Sequence, residues 1–96
     1  MSDTLTLSAS GTGGCSPDQN PWEPTSGGAV SIVNNSGAQQ MLSDITPGLL
    51  NPAPGNSITI SSGGTWNGRV GTSSGTYSYN DGSNKRGMRN GTIDPS

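Results

Sequence analysis

The sequence predicts an all-β protein, a small antiparallel β-sandwich. Short stretches alternate apolar with polar residues, which is typical of strands that bury one face. Glycine and proline account for 16 and 7 of the 96 residues and interrupt the chain every few positions, so a long helix is excluded. The apolar fraction is only 26%, so the core must be thin. A chain of this length forms one domain at most, and we assign residues 1–96 to it.

Alternation places the strands in chain order. In TLTLS (4–8), Leu5 and Leu7 share one face, and in SITIS (57–61), Ile58 and Ile60 do the same. Turn-forming residues, such as Asp81-Gly82, separate these stretches. The complete set of predicted strands is 4–8, 29–35, 57–61, 65–70, 76–80 and, as a short edge, 91–93.

Two segments fall outside this pattern. Residues 11–28, GTGGCSPDQNPWEPTSGG, have no periodicity, which predicts a long irregular loop with Trp22 anchoring it to the body. QQMLSDI (39–45) has the composition of a single helical turn that ends before Pro47.

The chain lacks the residues of common catalytic and metal sites. With one cysteine, Cys15, and no histidine, an intramolecular disulfide, an ordinary zinc site and a Ser-His-Asp triad are excluded. The acidic residues lie far apart in sequence, so a glycosidase pair of carboxylates is not indicated. NDGSN (80–84) holds one carboxylate, which is too few for calcium. We therefore predict a protein that is not an enzyme and has no cofactor or metal.

The charge pattern limits the partners. The net charge is −2 and the pI is near 4.5, so the basic residues Lys85, Arg86 and Arg89 do not predict nucleic-acid binding. No apolar run approaches the roughly 18 residues that span a membrane. No signal peptide is visible, which predicts a cytoplasmic protein as written, or the mature form of a secreted one.

Trp66 and Arg69 belong to the most organised stretch, PGNSITISSGGTWNGRV (54–70). Three positions apart on a strand, they point to opposite faces unless a bulge at Gly68 re-aims one of them. One interpretation makes Trp66 a core residue and Arg69 a surface charge. The other makes this a ligand face on which Arg69 donates hydrogen bonds.

A resemblance spans residues 29–91. VSIVNNSG is followed by NPAPGNSITISSGGTWNGRV and then by an aromatic residue with NDGSNKRG. This order is similar to the N-terminal part of thaumatin-like proteins. The resemblance implies a β-sandwich that binds β-glucan, with a defence or recognition role, and gives Arg69 a counterpart in the family's cleft. The family's dense disulfides and the later acidic residues of that cleft have no counterparts, so glucan hydrolysis is not implied.

A weaker resemblance involves GTYSYN and GMRNGTI, which are similar to the copper loop of plastocyanin-type cupredoxins. The ligand positions would hold Asp81, Asn84 and Met88, with Gln39 or Gln40 in place of the first histidine. Type 1 copper needs cysteine and histidine, so a copper-less Greek-key sandwich is what this resemblance implies.

These observations predict a carbohydrate-binding, lectin-like protein whose partner is a glycan. Aromatic rings and polar side chains are what a sugar site requires, and Tyr77 and Tyr79, on one strand face, could form a platform. The alternative is a structural protein that buries its thin core against copies of itself, and a homo-oligomer is expected. The predicted ligand-binding residues are Trp66, Asn67, Arg69, Tyr77, Tyr79, Asn80, Asp81 and Asn84.

Overall fold

The protein is a small, mostly antiparallel β-sandwich, as a computed structural model that describes residues 3–83 and 89–96 establishes. Among the described residues, helical backbone is confined to one 3-10 turn, Pro54–Asn56. The strands are β1 Thr4–Ser10, β2 Gly14–Pro17, β3 Ala29–Asn35, β4 Gln40–Leu42, β5 Leu50–Asn51, β6 Ile58–Ile60, β7 Thr65–Val70, β8 Gly75–Tyr79 and β9 Arg89–Ile93.

The first layer is a five-stranded sheet in the order β2-β1-β3-β7-β5. Its one parallel pair joins β1 to β3, with Leu5 opposite Ile32, and the other pairs are antiparallel. Alternation sends Leu5, Leu7, Val30 and Ile32 into the core, and the polar Asn34 with them. The Ser and Thr residues of both strands lie on the outer face. The polar alternation seen in the sequence therefore marks the solvent face of this sheet.

The second layer consists of β4, β6, β8 and β9. β4 pairs with β6, β8 pairs with β9, and the two strand pairs meet where Ser43 and Ser78 exchange backbone hydrogen bonds of 3.0 and 2.7 Å. The order across this layer is β6-β4-β8-β9. The core lies between the layers, and its largest fully buried side chains are Trp22 and Tyr77.

Three short strands were not predicted. Gly14–Pro17 is a strand within the segment 11–28, so that segment is not irregular throughout. It has no visible alternation because Gly14 and Cys15 are both buried, between β1 on one side and an Asn80 carbonyl that accepts from the Cys15 N–H on the other. β5 has only two residues, too few for a periodicity to appear.

The helical turn expected at residues 39–45 is wrong, because Gln40–Leu42 forms β4. Gln40 points inward like an apolar residue would, and its buried amide donates to the Gly13 carbonyl at 3.2 Å and the Ser36 hydroxyl at 2.9 Å. A polar residue at an inward position hid the strand's alternation.

Trp22 fixes the segment that precedes β3, as expected of an anchor. Its side chain is fully buried, and its backbone runs parallel to β9, where its N–H donates to the Thr92 carbonyl and its carbonyl accepts from Asp94. Further along, Ser96 donates to the Pro24 carbonyl. The outer edge of β9 is therefore covered by another stretch of chain.

Candidate functional site

Trp66 lies on the inner face of the first sheet, directly opposite Ile32 of β3, but it is only half-buried. The register of β7 against β3 is continuous from Thr65 to Arg69, so no bulge re-aims either side chain. The Trp66 ring lies over Gly68, where a Cβ atom would overlap its ring carbons. Glycine at position 68 is thus what allows the indole to lie flat along its own strand.

A cleft of about 360 Å³ opens beside this ring. It lies between β7 of the first layer and β6 of the second, and the proline-containing connection from β5 to β6 forms part of its wall. The residues around it are Pro52, Pro54, Ser57, Ile58, Thr59 and Trp66. The cleft therefore combines one aromatic ring and two proline rings with the hydroxyl groups of a serine and a threonine.

The strand edge next to the cleft carries unpaired backbone. Hydrogen bonds from Asn34 N–H to the Gly64 carbonyl and from Val70 N–H to the Gly28 carbonyl show that the even-numbered residues of β7 bond toward β3. The backbone groups of Thr65 and Asn67 consequently point the other way, to the side that β5 occupies at Arg69. β5 ends there, because the chain turns away at Pro52. Within the described residues, the N–H and C=O groups of Thr65 and Asn67 have no backbone partner.

Asn67 and Arg69 lie on the outer face of the sheet, away from the cleft. The Asn67 carbonyl oxygen of the side chain accepts a hydrogen bond from the Ser31 hydroxyl at 2.7 Å. The exposed Arg69 guanidinium donates a long bond of 3.4 Å to the Gly27 carbonyl. The predicted opposite placement of Trp66 and Arg69 is confirmed, so these residues do not form one ligand face.

Tyr77 and Tyr79 do share a strand face, but that face is in the core. Tyr77 is fully buried and Tyr79 is 6% exposed, with ring centroids 5.9 Å apart. The expectation of an exposed two-ring platform is therefore wrong. Burial raises the pKa of Tyr77 far above its ordinary value, and its hydroxyl is buried without a hydrogen-bond partner among the described residues. A thin core has few large side chains, so it uses both tyrosines to fill its volume.

Asn80 and Asp81 form the turn that follows β8. The Asn80 side chain accepts from the Gly82 N–H, and Asp81 accepts from the Ser83 N–H at 3.0 Å and from Arg89 at 2.6 Å. The hydrogen bonds from Ser83, followed by the contact with Arg89, lower the pKa of Asp81 to about 2. These groups are occupied by their own turn, and the structure does not bring them to Trp66. The remaining predicted residue, Asn84, lies outside the described residues, as do Lys85, Arg86 and Met88.

A second, larger cleft of about 410 Å³ lies between the turns at residues 46–49 and 71–74. Its described lining has neither an aromatic nor a charged side chain. The Trp66 cleft is smaller, but it offers a ring face for a ligand to contact, so we take it as the candidate site.

Sequence reasoning found Trp66 but missed the rest of the cleft. The sequence pattern assigned the other lining residues only to turns and strands. These residues are Pro52, Pro54, Ser57 and Thr59. The signal that could have identified them is NPAPGNS, a proline-rich connection immediately before a short strand. Such a connection cannot continue a sheet ladder and leaves its neighbour's edge open.

Within residues 3–83 and 89–96, no three cysteine, aspartate or glutamate side chains are grouped so that they could hold a metal ion. The same residues form no helix of the length and apolarity that crossing a bilayer requires. Comparison of the chain with protein-family models, with curated proteins and with solved structures gave no match.

Proposed function

We propose that this protein binds glycans without modifying them, and that the Trp66 cleft is the binding site. The observation that carries this proposal is the half-buried indole of Trp66, which lies on Gly68 with one side toward the cleft. Water solvates a tryptophan ring poorly, whereas the apolar face of a sugar ring can pack against it. A ring held in place by its own strand loses little conformational entropy on binding.

The rest of the cleft suits the same class of ligand. Thr59 brings a hydroxyl group that can donate and accept hydrogen bonds, as sugar hydroxyls require. The Ser57 hydroxyl donates a long bond of 3.4 Å to the Pro54 carbonyl and can accept one from a ligand. The cleft volume of about 360 Å³ falls at the lower end of the range of about 300–1,000 Å³ usual for small-ligand sites. No acidic side chain is present in the described lining.

β-Glucan is the first glycan to test, because the resemblance of residues 29–91 to thaumatin-like proteins implies it. Tyr77 and Tyr79 are in the core, and Asn67 and Arg69 are on the opposite face, so the proposal rests on Trp66 alone among the aromatic residues expected to contact sugar.

The test is a glycan array, followed by titration calorimetry on the best ligand, with two matched variants of β7. Trp66→Ala removes the ring in the cleft, and we expect at least a tenfold loss of affinity. Arg69→Ala changes the outer face of the same strand and should leave affinity within about twofold. Circular dichroism establishes that both variants fold. Equal binding by wild type and Trp66→Ala, or no glycan bound by the wild type, would refute the proposal.

Self-association is the second candidate function, and one observation favours it. The backbone of Thr65 and Asn67 presents an open sheet edge, which is the usual route by which β proteins add further strands. The positions of its free N–H and C=O groups favour pairing with a second copy of the chain.

A further inference from the structure

The open edge of β7 is short and has a defined pattern of donors and acceptors. Thr65 and Asn67 each direct one N–H and one C=O away from β3, and Trp66, between them, directs its groups toward β3. We infer that this edge pairs with the same edge of a second copy of the chain, antiparallel, about a two-fold axis that passes beside Trp66.

A two-fold axis at that position satisfies every free group of this edge. It places Thr65 opposite the partner copy's Asn67, as a pair that exchanges both backbone hydrogen bonds, and the symmetry repeats the pair on the other side. Trp66 then faces the partner copy's Trp66 as the pair without hydrogen bonds, with Cα atoms about 4.5 Å apart. A shift of one residue would leave the free groups without partners, and a shift of two would pair only half of them, so this register satisfies the most groups.

The surroundings of the edge allow this pairing and limit its length. β5 and Pro52 occupy the edge from Arg69 onward, and the chain of the partner must leave the sheet before that point. In each copy, Gly63 and Gly64 belong to the turn that precedes β7. The partner copy's chain therefore turns out of the sheet before it reaches Arg69. No described side chain from Thr65 to Asn67 carries a charge, so two copies do not repel each other there. Native edges that must stay single commonly carry lysine or a bulge, and this one carries neither.

The pairing would bring both indoles to one face of the joined sheet. Residues directly opposite each other on antiparallel strands point to the same side, so each Trp66 stands beside the partner copy's cleft. This step, unlike the pairing itself, rests on the proposed glycan site. With that site in place, a glycan longer than one cleft contacts both copies. Longer oligosaccharides then bind more tightly than short ones, and the advantage disappears when the pairing is prevented.

Sedimentation velocity across a concentration series, without any sugar, tests the pairing. The wild type should show a monomer–dimer equilibrium. Asn67→Pro removes the N–H that donates to the partner copy, and among the described residues of one chain that N–H has no backbone partner. It also removes the side-chain oxygen that accepts from the Ser31 hydroxyl, and Asn67→Ala removes the same oxygen, so the two variants differ in the backbone N–H. We expect its dimer dissociation constant to rise at least tenfold. Asn67→Ala keeps the N–H and should dimerise within about threefold of wild type. A wild type that stays monomeric, or an Asn67→Ala variant as impaired as Asn67→Pro, would overturn the inference.

Disulfide trapping covers the case in which Asn67→Pro does not fold. Thr65→Cys and Asn67→Cys proteins are prepared separately, mixed, and oxidised with oxidised glutathione. The inferred pair has Cα atoms about 5.5 Å apart, within the range of disulfides, and the native Cys15 is fully buried. We expect a cross-linked dimer from the mixture and far less from either variant alone. Absence of this difference would overturn the pairing, whereas glycan binding unaffected by Trp66→Ala would refute only the glycan site.

Discussion

The two tryptophans lie at two sheet edges, and the chain treats these edges differently. At β9, the segment around Trp22 runs parallel to the strand, pairs with it, and buries the ring completely. At β7, the chain leaves at Pro52 after pairing with two residues, so the edge stays open and Trp66 stays half-buried. Both rings contribute to packing, but only one of them is accessible to another molecule. In a protein with so thin a core, binding capacity is expected where the chain leaves its packing incomplete.

The largest expected effect is on the free energy of unfolding, to which Trp22 and Trp66 should contribute unequally. Trp22→Ala empties a fully buried site and should lower the free energy of unfolding by about 3–5 kcal/mol. Trp66→Ala gives up only part of a ring's burial and should cost about 1–2 kcal/mol. Urea unfolding followed by circular dichroism measures both. Equal losses for the two variants would mean that Trp66 is a core residue after all.

The Asn34 side chain joins β3 of the first layer to the end of β6 in the second layer. Its buried amide donates to the carbonyls of Ala38, Ile60 and Ser61, and its oxygen accepts from Ser36. At β9, neighbouring segments are joined by backbone hydrogen bonds, whereas here the Asn34 side chain makes the connection. Asn34→Ala leaves these buried groups unsatisfied and should cost about 2–4 kcal/mol in urea unfolding. The control is Asn35→Ala, an exposed neighbour, which should change stability by less than about 0.5 kcal/mol. Similar effects at both positions would contradict the account of Asn34.

Gly68 tests whether the position of the Trp66 ring matters to binding. Gly68→Ala places a methyl group where the ring and the Asn51 carbonyl oxygen now lie. Both the indole and the end of β5 must therefore move, at a cost of about 1–3 kcal/mol from overpacking. Glycan affinity should fall at least fivefold, although every residue around the cleft is retained. Calorimetry with Asn67→Ala as the neighbouring control measures this change. Unchanged affinity in Gly68→Ala would show that the ring's placement is not what the ligand requires.

The smallest effect concerns Asp81, which lies at neither edge. Its pKa of about 2 in the folded protein is below the ordinary value for aspartate, so folding favours the ionised form. The resulting stability is present above about pH 4 and is lost as the pH falls toward 2. Comparing urea unfolding of wild type and Asp81→Asn between pH 2 and 5 should show a weaker pH dependence in the variant. Glycan binding at neutral pH should be the same in both proteins.

The sequence predicted the strands with apolar alternation and not those without it. β1, β3 and β7 alternate clearly and were found, whereas β2 has glycine and cysteine at its buried positions and β4 has Gln40. The same limit applied to the site. The alternation of side chains along a strand correctly placed Trp66 and Arg69 on opposite faces. It could not show that the face shared by Tyr77 and Tyr79 is buried. Which face points inward depends on the second layer, and that is a tertiary property.

The most direct test of the glycan site is the titration of the two indole N–H resonances in a ¹H–¹⁵N NMR spectrum. The chain has 2 tryptophans, so Trp66 and Trp22 report on the open and the covered edge within one sample. On addition of β-glucan oligosaccharides, we expect the Trp66 resonance, assigned from the spectrum of Trp66→Ala, to shift and saturate, while the Trp22 resonance stays in place. A shift confined to Trp22, or an unmoved Trp66 resonance under conditions in which the sugar binds, would contradict the proposed glycan site.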